Sequence, residues 1–273
     1  MKGSKTVMSP SFIGIGAQRC GTTWLYECLA AHPDVFVSTP KELYFFTKDY
    51  SRGLDWYEAQ FSKKGSARAW GEITPGYFYR PKALRRMARD VPDAKLFVIL
   101  RNPIERALSA FDFFYESHYR GLDLREAMSL DPSILEQGMY SESLDRLFSL
   151  YPQKNCLVIF YDDITASPDT LVAALYEFVG VDATFRPAML TRRVNQAILP
   201  RTQNILISLG MRRIIDRVKR SHLGEQMQAW HSRRLRRVRR DDSQNRVFLC
   251  DYYREEIGRL QKRFGRDFSS WIT

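Results

Sequence analysis

The sequence is poor in the residues that build metal centres and disulfide frameworks. Its 273 residues include four cysteines and four histidines. The cysteines lack the paired spacing that zinc sites or a dense disulfide framework require. The histidines contain no H-x-x-x-H pair, the spacing that puts two metal ligands on one helix face. We therefore expect no metal, and we expect reduced thiols in a cytoplasmic protein.

Long apolar runs are absent as well. The first apolar stretch, residues 12–15, is short and interrupted by glycine, whereas a membrane-spanning helix needs about 20 mostly apolar residues. We expect neither a signal peptide nor a transmembrane helix. There is also no internal repeat and no low-complexity linker. We therefore predict one domain over residues 1–273, with a core at about 10–190 and a basic helical region at about 191–273.

Positive charge is concentrated in one late segment. The chain has a net charge of +11, and Arg192–Arg240 alone carries fourteen Lys and Arg against two acidic residues. The rest of the chain is close to neutral, which favours an anionic partner at this segment. Four interpretations stay open: a solvated helix face, an anionic acceptor, a membrane surface that would make the protein peripheral, and a nucleic acid. We do not expect nucleic acid.

The most informative motif is the stretch from Gly16 to Thr23. It lies between a short apolar strand and a helix with one apolar face, so backbone N–H groups and the positive helix end converge there on an anion. Its spacing resembles the nucleotide-binding loop G-x-x-x-x-G-K-[ST], but Thr22 stands at the lysine position. Arg19 is the loop's cation. Such a loop suits a smaller 5′ anion than a triphosphate, although a P-loop kinase or NTPase stays open as an alternative.

Further apolar strands alternate with helical patterns along the chain. This alternation predicts an α/β domain with a parallel sheet. The remaining strands are predicted at residues 35–37, 70–73, 96–100 and 157–160.

A second anion site is predicted directly after the strand at 96–100. Arg101 leaves the carboxyl end of that strand, Pro103 marks a helix start, and Ser109 follows two turns later. A guanidinium and a hydroxyl at the mouth of a helix suit a phosphate. The alternative is that Arg101 pairs with Glu105 on the helix surface.

Glu42 is a candidate general base. It follows Lys41 and precedes an aromatic cluster at residues 44–46. One interpretation is a solvated ion pair at a strand end. The other is a carboxylate at the edge of an apolar pocket, where desolvation would make it a stronger base. We favour the second because ligands gather at the carboxyl ends of parallel strands.

Four stretches together resemble one enzyme family. They are residues 16–25, 41–46, 101–109, and 138–141 with the strand that ends at Tyr161, and they span about residues 10–180. In this order they resemble the sulfotransferases that use 3′-phosphoadenosine 5′-phosphosulfate (PAPS), especially the bacterial and heparan-sulfate-type branch. The resemblance implies a three-layer P-loop-like domain, with helices on both sides of a central parallel sheet.

The resemblance also implies the reaction. PAPS would donate its sulfuryl group to a hydroxyl or amine of a small-molecule, lipid or carbohydrate acceptor, and 3′-phosphoadenosine 5′-phosphate (PAP) would be the product. No metal is implied. Glu42 would be the base, and Arg19, at the position where the family usually has lysine, would stabilise the bridging oxygen.

Donor-binding residues follow from the same resemblance. The residues implied to hold the 5′-phosphosulfate are Arg19, Cys20, Gly21, Thr22 and Thr23. Those implied to contact the 3′-phosphate are Arg101 and Ser109. Trp24 and Tyr161 would contact adenine, and Arg201 would belong to a late loop over the 3′-phosphate.

Overall fold

The computed structural model describes residues 9–188, 190 and 243–272. All of these except 243–246 belong to one compact unit. The centre of the unit is a five-stranded sheet. The strands are β1 (Phe12–Gly16), β2 (Val35–Val37), β3 (Ala69–Ile73), β4 (Lys95–Leu100) and β5 (Cys156–Phe160). The five predicted strands are all present.

The sheet is parallel throughout, as predicted. Its strand order is β2-β3-β1-β4-β5, and every neighbouring pair is parallel. The chain leaves β1 toward β2 on one side and leaves β4 toward β5 on the other. In open α/β sheets, ligands bind in the crevice where adjacent strands diverge in this way. The carboxyl ends of β1 and β4 are therefore the expected binding crevice.

Burial on both faces explains why these segments form central strands. In β4 every residue after Lys95 is fully buried, which matches the continuous apolar runs of parallel sheets covered on both faces. Close packing also requires glycine in β1. A Cβ atom on Gly14 would lie 2.6 Å from the ring of Phe97, so a larger residue would push β4 away.

Helices cover the sheet. The first six are α1 (Thr22–Ala31), α2 (Leu54–Ala59), α3 (Pro81–Asp90), α4 (Pro103–Phe114), α5 (Leu124–Leu130) and α6 (Ser133–Glu136). The later ones are α7 (Tyr140–Leu150), α8 (Asp163–Ala166), α9 (Pro168–Val179) and α10 (Ser243–Phe264). α1 packs on α9, and α3 packs on α7. The crossover through α1 runs from β1 to β2, whereas the crossover through α3 runs the opposite way along the sheet, from β3 to β4. Because such crossovers are right-handed, the two helices lie on opposite faces, so the three-layer prediction is confirmed.

Local signals account for several helix ends. Helix α9 begins at Pro168 and ends at Gly180, whose φ of 90° is left-handed. Helix α7 begins at Tyr140 without a side-chain cap. Helix α5 was not predicted, although its capping box of Asp123 and Glu126 is visible as a D-x-x-E pattern in the sequence.

Two predictions concern parts outside the described residues. The segment Arg192–Arg240 and the late-loop residue Arg201 both lie there. Over the residues that are described, none of the helices combines the length and apolarity that crossing a membrane requires.

Candidate active site

The loop between β1 and α1 presents backbone N–H groups at the binding crevice. Its Arg19 and Gly21 have left-handed φ angles of 70° and 95°. Gly21 is the N-cap of α1 and has no side chain to accept from the first turn, whereas Asn102 caps α4 with its side chain. The first turn of α1 thus offers its N–H groups and its positive dipole end to an anion.

The loop side chains divide into two groups. Cys20, Thr22 and Trp24 are buried, and Cys20 Sγ donates to the carbonyl of Gln18 at 3.6 Å. Burial raises the pKa of the Cys20 thiol. These side chains face the core, so Cys20 and Thr22 can meet a ligand through their backbone. Thr23 is exposed and can present its hydroxyl.

Arg19 joins the loop to the second predicted anion site. Its Nε donates to Ser109 Oγ at 3.2 Å, and its guanidinium lies 4.1 Å from the ring centroid of Phe113. Burial, and next the positive charge of Arg101, lowers the pKa of Arg19 to about 10. The two predicted anion sites are therefore neighbouring parts of one cluster.

Arg101 completes this cluster. Its Nη1 donates to the carbonyl of Arg19 at 3.4 Å, and its guanidinium lies 4.7 Å from the ring centroid of Tyr161. Nη2 also pairs with Glu105 at 3.4 Å, so the ion pair predicted as the alternative for Arg101 is present. Tyr161 borders the loop, because a Cβ atom on Gly21 would lie 3.1 Å from its ring.

The cluster is suited to a phosphate. Nearby Asp112 acts to raise the pKa of Arg19, yet burial and Arg101 outweigh it. An anion between Arg19 and Arg101 would relieve their repulsion and would receive charge-assisted hydrogen bonds from both. The donor set of two guanidinium groups, the Ser109 hydroxyl and helix-end N–H groups thus fits a phosphorylated ligand.

Tyr140 holds the loop and the end of β4 together. Its hydroxyl donates to the carbonyl of Arg101 at 2.9 Å and contacts Cys20 Sγ at 3.7 Å. The side chain is fully buried. The 138–141 motif therefore contributes a residue that fixes the spacing between Arg101 and the loop.

Glu42 lies on the segment that follows β2. Its side chain is 29% exposed and its Oε1 accepts from Lys41 Nζ at 3.1 Å, while the Tyr44 hydroxyl donates to its Oε2. Glu42 and Tyr44 both have left-handed φ angles, 68° and 54°, which are costly for residues with side chains. The predicted ion pair with Lys41 is thus present, on a carboxylate that is partly buried.

The sequence analysis missed Glu72, which supports this segment. Fully buried in β3, Glu72 accepts from the hydroxyls of Thr74 at 2.6 Å, Tyr57 at 2.8 Å and Tyr77 at 3.1 Å. It also accepts from the Leu43 N–H at 3.4 Å. Burial raises the pKa of Glu72 despite these donors. The available signal was an acidic residue inside an apolar strand, because such residues are rarely buried without partners.

Tyr79 contacts the loop from the chain that follows β3. Its hydroxyl donates to Gln18 Oε1 at 3.2 Å. Burial raises the pKa of Tyr79, while the charge of Arg106 acts to lower it and that of Glu42 acts to raise it. The hydrogen bond to Gln18 therefore ties this part of the chain to the loop.

Arg106 adds a buried positive charge behind the loop. It is fully buried on α4, and its Nη2 donates to the carbonyl of Ile134. Its Nε and Nη1 have no hydrogen-bond partner within the described part of the chain. Across that same part, no group of His, Cys, Asp and Glu side chains could hold a metal ion.

The chain matches a known family over most of its length. The model of the sulfotransferase domain family matches residues 9–229. The chain is 27% identical over 289 aligned residues to the human bifunctional heparan sulfate N-deacetylase/N-sulfotransferase 3. That match covers 96% of this chain and 31% of the relative. The chain is also 30% identical to the human heparan sulfate glucosamine 3-O-sulfotransferase 6 over 180 aligned residues. This second match covers 63% of this chain and 52% of that relative.

These relatives are longer than this chain, which spans about a third to a half of their length. Among solved structures, a sulfotransferase from Alicyclobacillus acidocaldarius superimposes with a TM-score of 0.69. That match has 23% identity and covers 97% of this chain and 99% of the other. At this identity the likeness supports the fold.

Proposed function

Because the chain belongs to the sulfotransferase domain family, we propose that it moves the sulfuryl group of PAPS to a hydroxyl or amine of an acceptor. One observation carries the proposal. Arg19, Ser109 and Arg101 meet at the carboxyl ends of β1 and β4, with Arg19 Nε 3.2 Å from Ser109 Oγ and Arg101 Nη1 3.4 Å from the Arg19 carbonyl. PAPS carries a phosphate at the 3′ position of its ribose and a phosphosulfate at the 5′ position, and the two adjoining anion sites match these two groups.

The proposed donor roles follow from this placement. Arg101 and Ser109 would hold the 3′-phosphate, and the N–H groups from Cys20 to Thr23 with the Arg19 guanidinium would hold the 5′-phosphosulfate. The Tyr161 ring, which lies against Arg101 and Gly21, would border the adenosine. Trp24 is only 5% exposed, so little of its surface is open to an adenine ring.

The proposed chemistry assigns one proton transfer to this chain. PAPS supplies an activated sulfuryl group. Glu42 would take the proton from the acceptor while the acceptor atom bonds to sulfur, and the electron pair of the breaking S–O bond would stay on the departing phosphate. Arg19 and the loop N–H groups would stabilise the charge that appears there, without reorganising during the reaction.

Two features support this function over a kinase or NTPase. Thr22, at the position where such a loop has lysine, has a buried side chain that is 6% exposed. The loop cation, Arg19, lies instead beside Ser109, where it can serve both phosphates. The nucleic-acid alternative depends on the segment Arg192–Arg240, which is outside the described residues.

A carbohydrate is the acceptor class that we propose. The two human relatives named above act on heparan sulfate according to their names. Lys41 beside Glu42 and the exposed Phe113 beside Arg19 offer a cation and an aromatic face, which suit a sugar that carries acidic groups.

The test is transfer of label from radiolabelled PAPS to three acceptors: N-deacetylated heparan polysaccharide, a simple phenol and a long-chain alcohol in vesicles. We expect label in the polysaccharide. Label in the phenol or alcohol alone would contradict the acceptor class. Absence of label from all three, with ATP supporting phosphorylation instead, would contradict the sulfotransferase proposal.

A further inference from the structure

The C-terminal segment 265–272 contacts the residues that directly follow Arg101 and Tyr161, after β4 and β5. Trp271 is 4% exposed and is buried against those residues. Its carbonyl accepts from Asn102 Nδ2 at 3.0 Å, and its indole Nε1 donates to Asp162 Oδ2 at 2.8 Å. Asn102 directly follows Arg101, and Asp162 directly follows Tyr161. One residue thus bridges the neighbours of two proposed ligand-binding residues.

The contact with Asn102 reaches the structure of the phosphate site. Asn102 also caps α4, because its Oδ1 accepts from the Ile104 N–H at 2.9 Å. The side chain therefore holds the start of α4, which carries Ser109, while its amide holds the C-terminal segment. A shift of Trp271 would therefore move Asn102, which both caps α4 and adjoins Arg101.

The rest of the segment is anchored firmly enough to act as a support. Arg266 forms two hydrogen bonds with Asp163, at 2.9 and 2.7 Å, and these raise the pKa of Arg266. The ring of Phe268 stacks on Trp271 with centroids 4.1 Å apart and lies 5.1 Å from Phe160 at the end of β5. A paired guanidinium fork and stacked rings restrict motion better than single contacts do.

We propose that the C-terminal segment 265–272, through Trp271, positions Arg101 and Tyr161 for the 3′-phosphoadenosine part of the donor. The inference rests on the proposed function and adds positioning residues that do not touch the donor. The segment also lies beyond residues 9–229, the range that matches the family model. The guanidinium of Arg101 lies 4.7 Å from the ring centroid of Tyr161. By holding Asn102 and Asp162, Trp271 therefore restricts the distance between these two side chains.

The test uses one conservative change and a matched control in the full chain. Trp271→Phe removes the indole N–H that binds Asp162 and keeps a ring to stack on Phe268. Trp70→Phe removes a similar indole bond, from Trp70 Nε1 to the Ser9 carbonyl at 2.9 Å, at the opposite end of the sheet. Both variants lose one indole hydrogen bond, so a general loss of stability affects both.

We expect Trp271→Phe to raise the calorimetric Kd for PAP and the KM for PAPS about tenfold. This factor corresponds to the smallest free energy, about 1.5 kcal/mol, that a hydrogen bond to a charged group usually contributes. The kcat at saturating PAPS and the KM for the acceptor should stay unchanged. Trp70→Phe should leave all four values unchanged. Asp162→Asn, which weakens the same bond from its other side, should reproduce the effect and serves if Trp271→Phe does not fold.

Three results would overturn the inference. If the wild type binds PAP and a folded Trp271→Phe or Asp162→Asn binds it equally well, the C-terminal segment does not position the donor site, while the proposed function stands. An equal loss in Trp70→Phe would show a general effect on stability and would also contradict positioning. If the wild type does not bind PAP, the proposed function itself fails, and this inference fails with it.

Discussion

Replacing Arg101 with alanine tests how strongly the proposed donor site depends on the charge of Arg101. The change removes the guanidinium that contacts the Arg19 carbonyl at 3.4 Å and stacks on Tyr161 at 4.7 Å. The backbone carbonyl of Arg101, which accepts from Tyr140, remains in place. The variant should therefore keep the fold and lose one of the two cations proposed to bind phosphate.

The magnitude follows from two opposing effects. A hydrogen bond to a charged group contributes about 1.5–3 kcal/mol, which corresponds to a loss of about 10- to 100-fold in affinity. Arg101 also lowers the pKa of Arg19 through repulsion, so its removal relieves a cost. We therefore expect the Kd for PAP to rise by an amount near the lower end, about 10- to 30-fold.

The assay is calorimetric titration with PAP at physiological ionic strength, where surface charge is screened within about 8 Å. Arg101→Lys keeps the charge and loses the planar fork, so it should fall between alanine and the wild type. Glu105→Gln removes the carboxylate that pairs with Arg101 at 3.4 Å and should bind PAP at least as tightly as the wild type. An Arg101→Ala protein that is folded and binds PAP like the wild type would refute the assignment of the 3′-phosphate site.

Three further predictions follow from single residues. Wild-type affinity for PAP should stay constant up to about pH 9 and fall as Arg19 loses its proton near its pKa of about 10. In Arg19→Lys, the same burial and the same Arg101 charge would lower the pKa of a group that starts from about 10.4 rather than 12.5, so the fall should begin at lower pH. Equal calorimetric profiles would contradict the effect of burial. Burial raises the pKa of Glu72. The stability that the protonated carboxyl contributes is therefore fully present below about pH 4.3, the pKa of Glu72 in the unfolded chain. It is lost as the pH rises through the pKa of Glu72 in the folded chain. The free energy of unfolding of the wild type relative to Glu72→Gln should thus decrease as pH rises, in urea titrations, and a constant difference would oppose this. Glu42→Gln should lower kcat on the order of 100-fold and leave the affinity for PAP unchanged. The control Glu255→Gln, on the exposed face of α10, should leave kcat unchanged. Near-normal turnover in Glu42→Gln would show that Glu42 is not the base.

The sheet and most helices could be predicted because their signals are local. Each strand is a short apolar run, and burial on both faces leaves little choice at residues such as those of β4. The loop at Gly16–Thr23 and the pair of Arg101 and Ser109 could also be found, since strand ends of a parallel sheet meet at one edge. The π-helical turn at Tyr115–Tyr119 that follows α4 has no comparable signal, and a run of aromatic residues such as that at 111–115 ordinarily indicates core. Phe113 is instead 44% exposed beside Arg19.

Contacts between distant parts of the chain could not be predicted from pattern. Nothing in the sequence places Trp271 against Asn102, 169 positions earlier, or Glu72 beneath Leu43. The direct contact of Arg19 with Ser109 also depends on side-chain directions that only packing decides. Strand-end position indicates which residues share an edge of the sheet, whereas hydrogen-bond partners depend on the three-dimensional arrangement.

Calorimetric titration of the wild-type chain with PAP, beside a titration with ATP and magnesium, tests the central claim most directly. We predict saturable binding of PAP that does not need metal, because two guanidinium groups, a hydroxyl and a helix end supply the anion contacts. We also predict weaker binding of ATP, which lacks the 3′-phosphate that Arg101 and Ser109 are proposed to hold. Binding of magnesium–ATP with no binding of PAP would contradict the account.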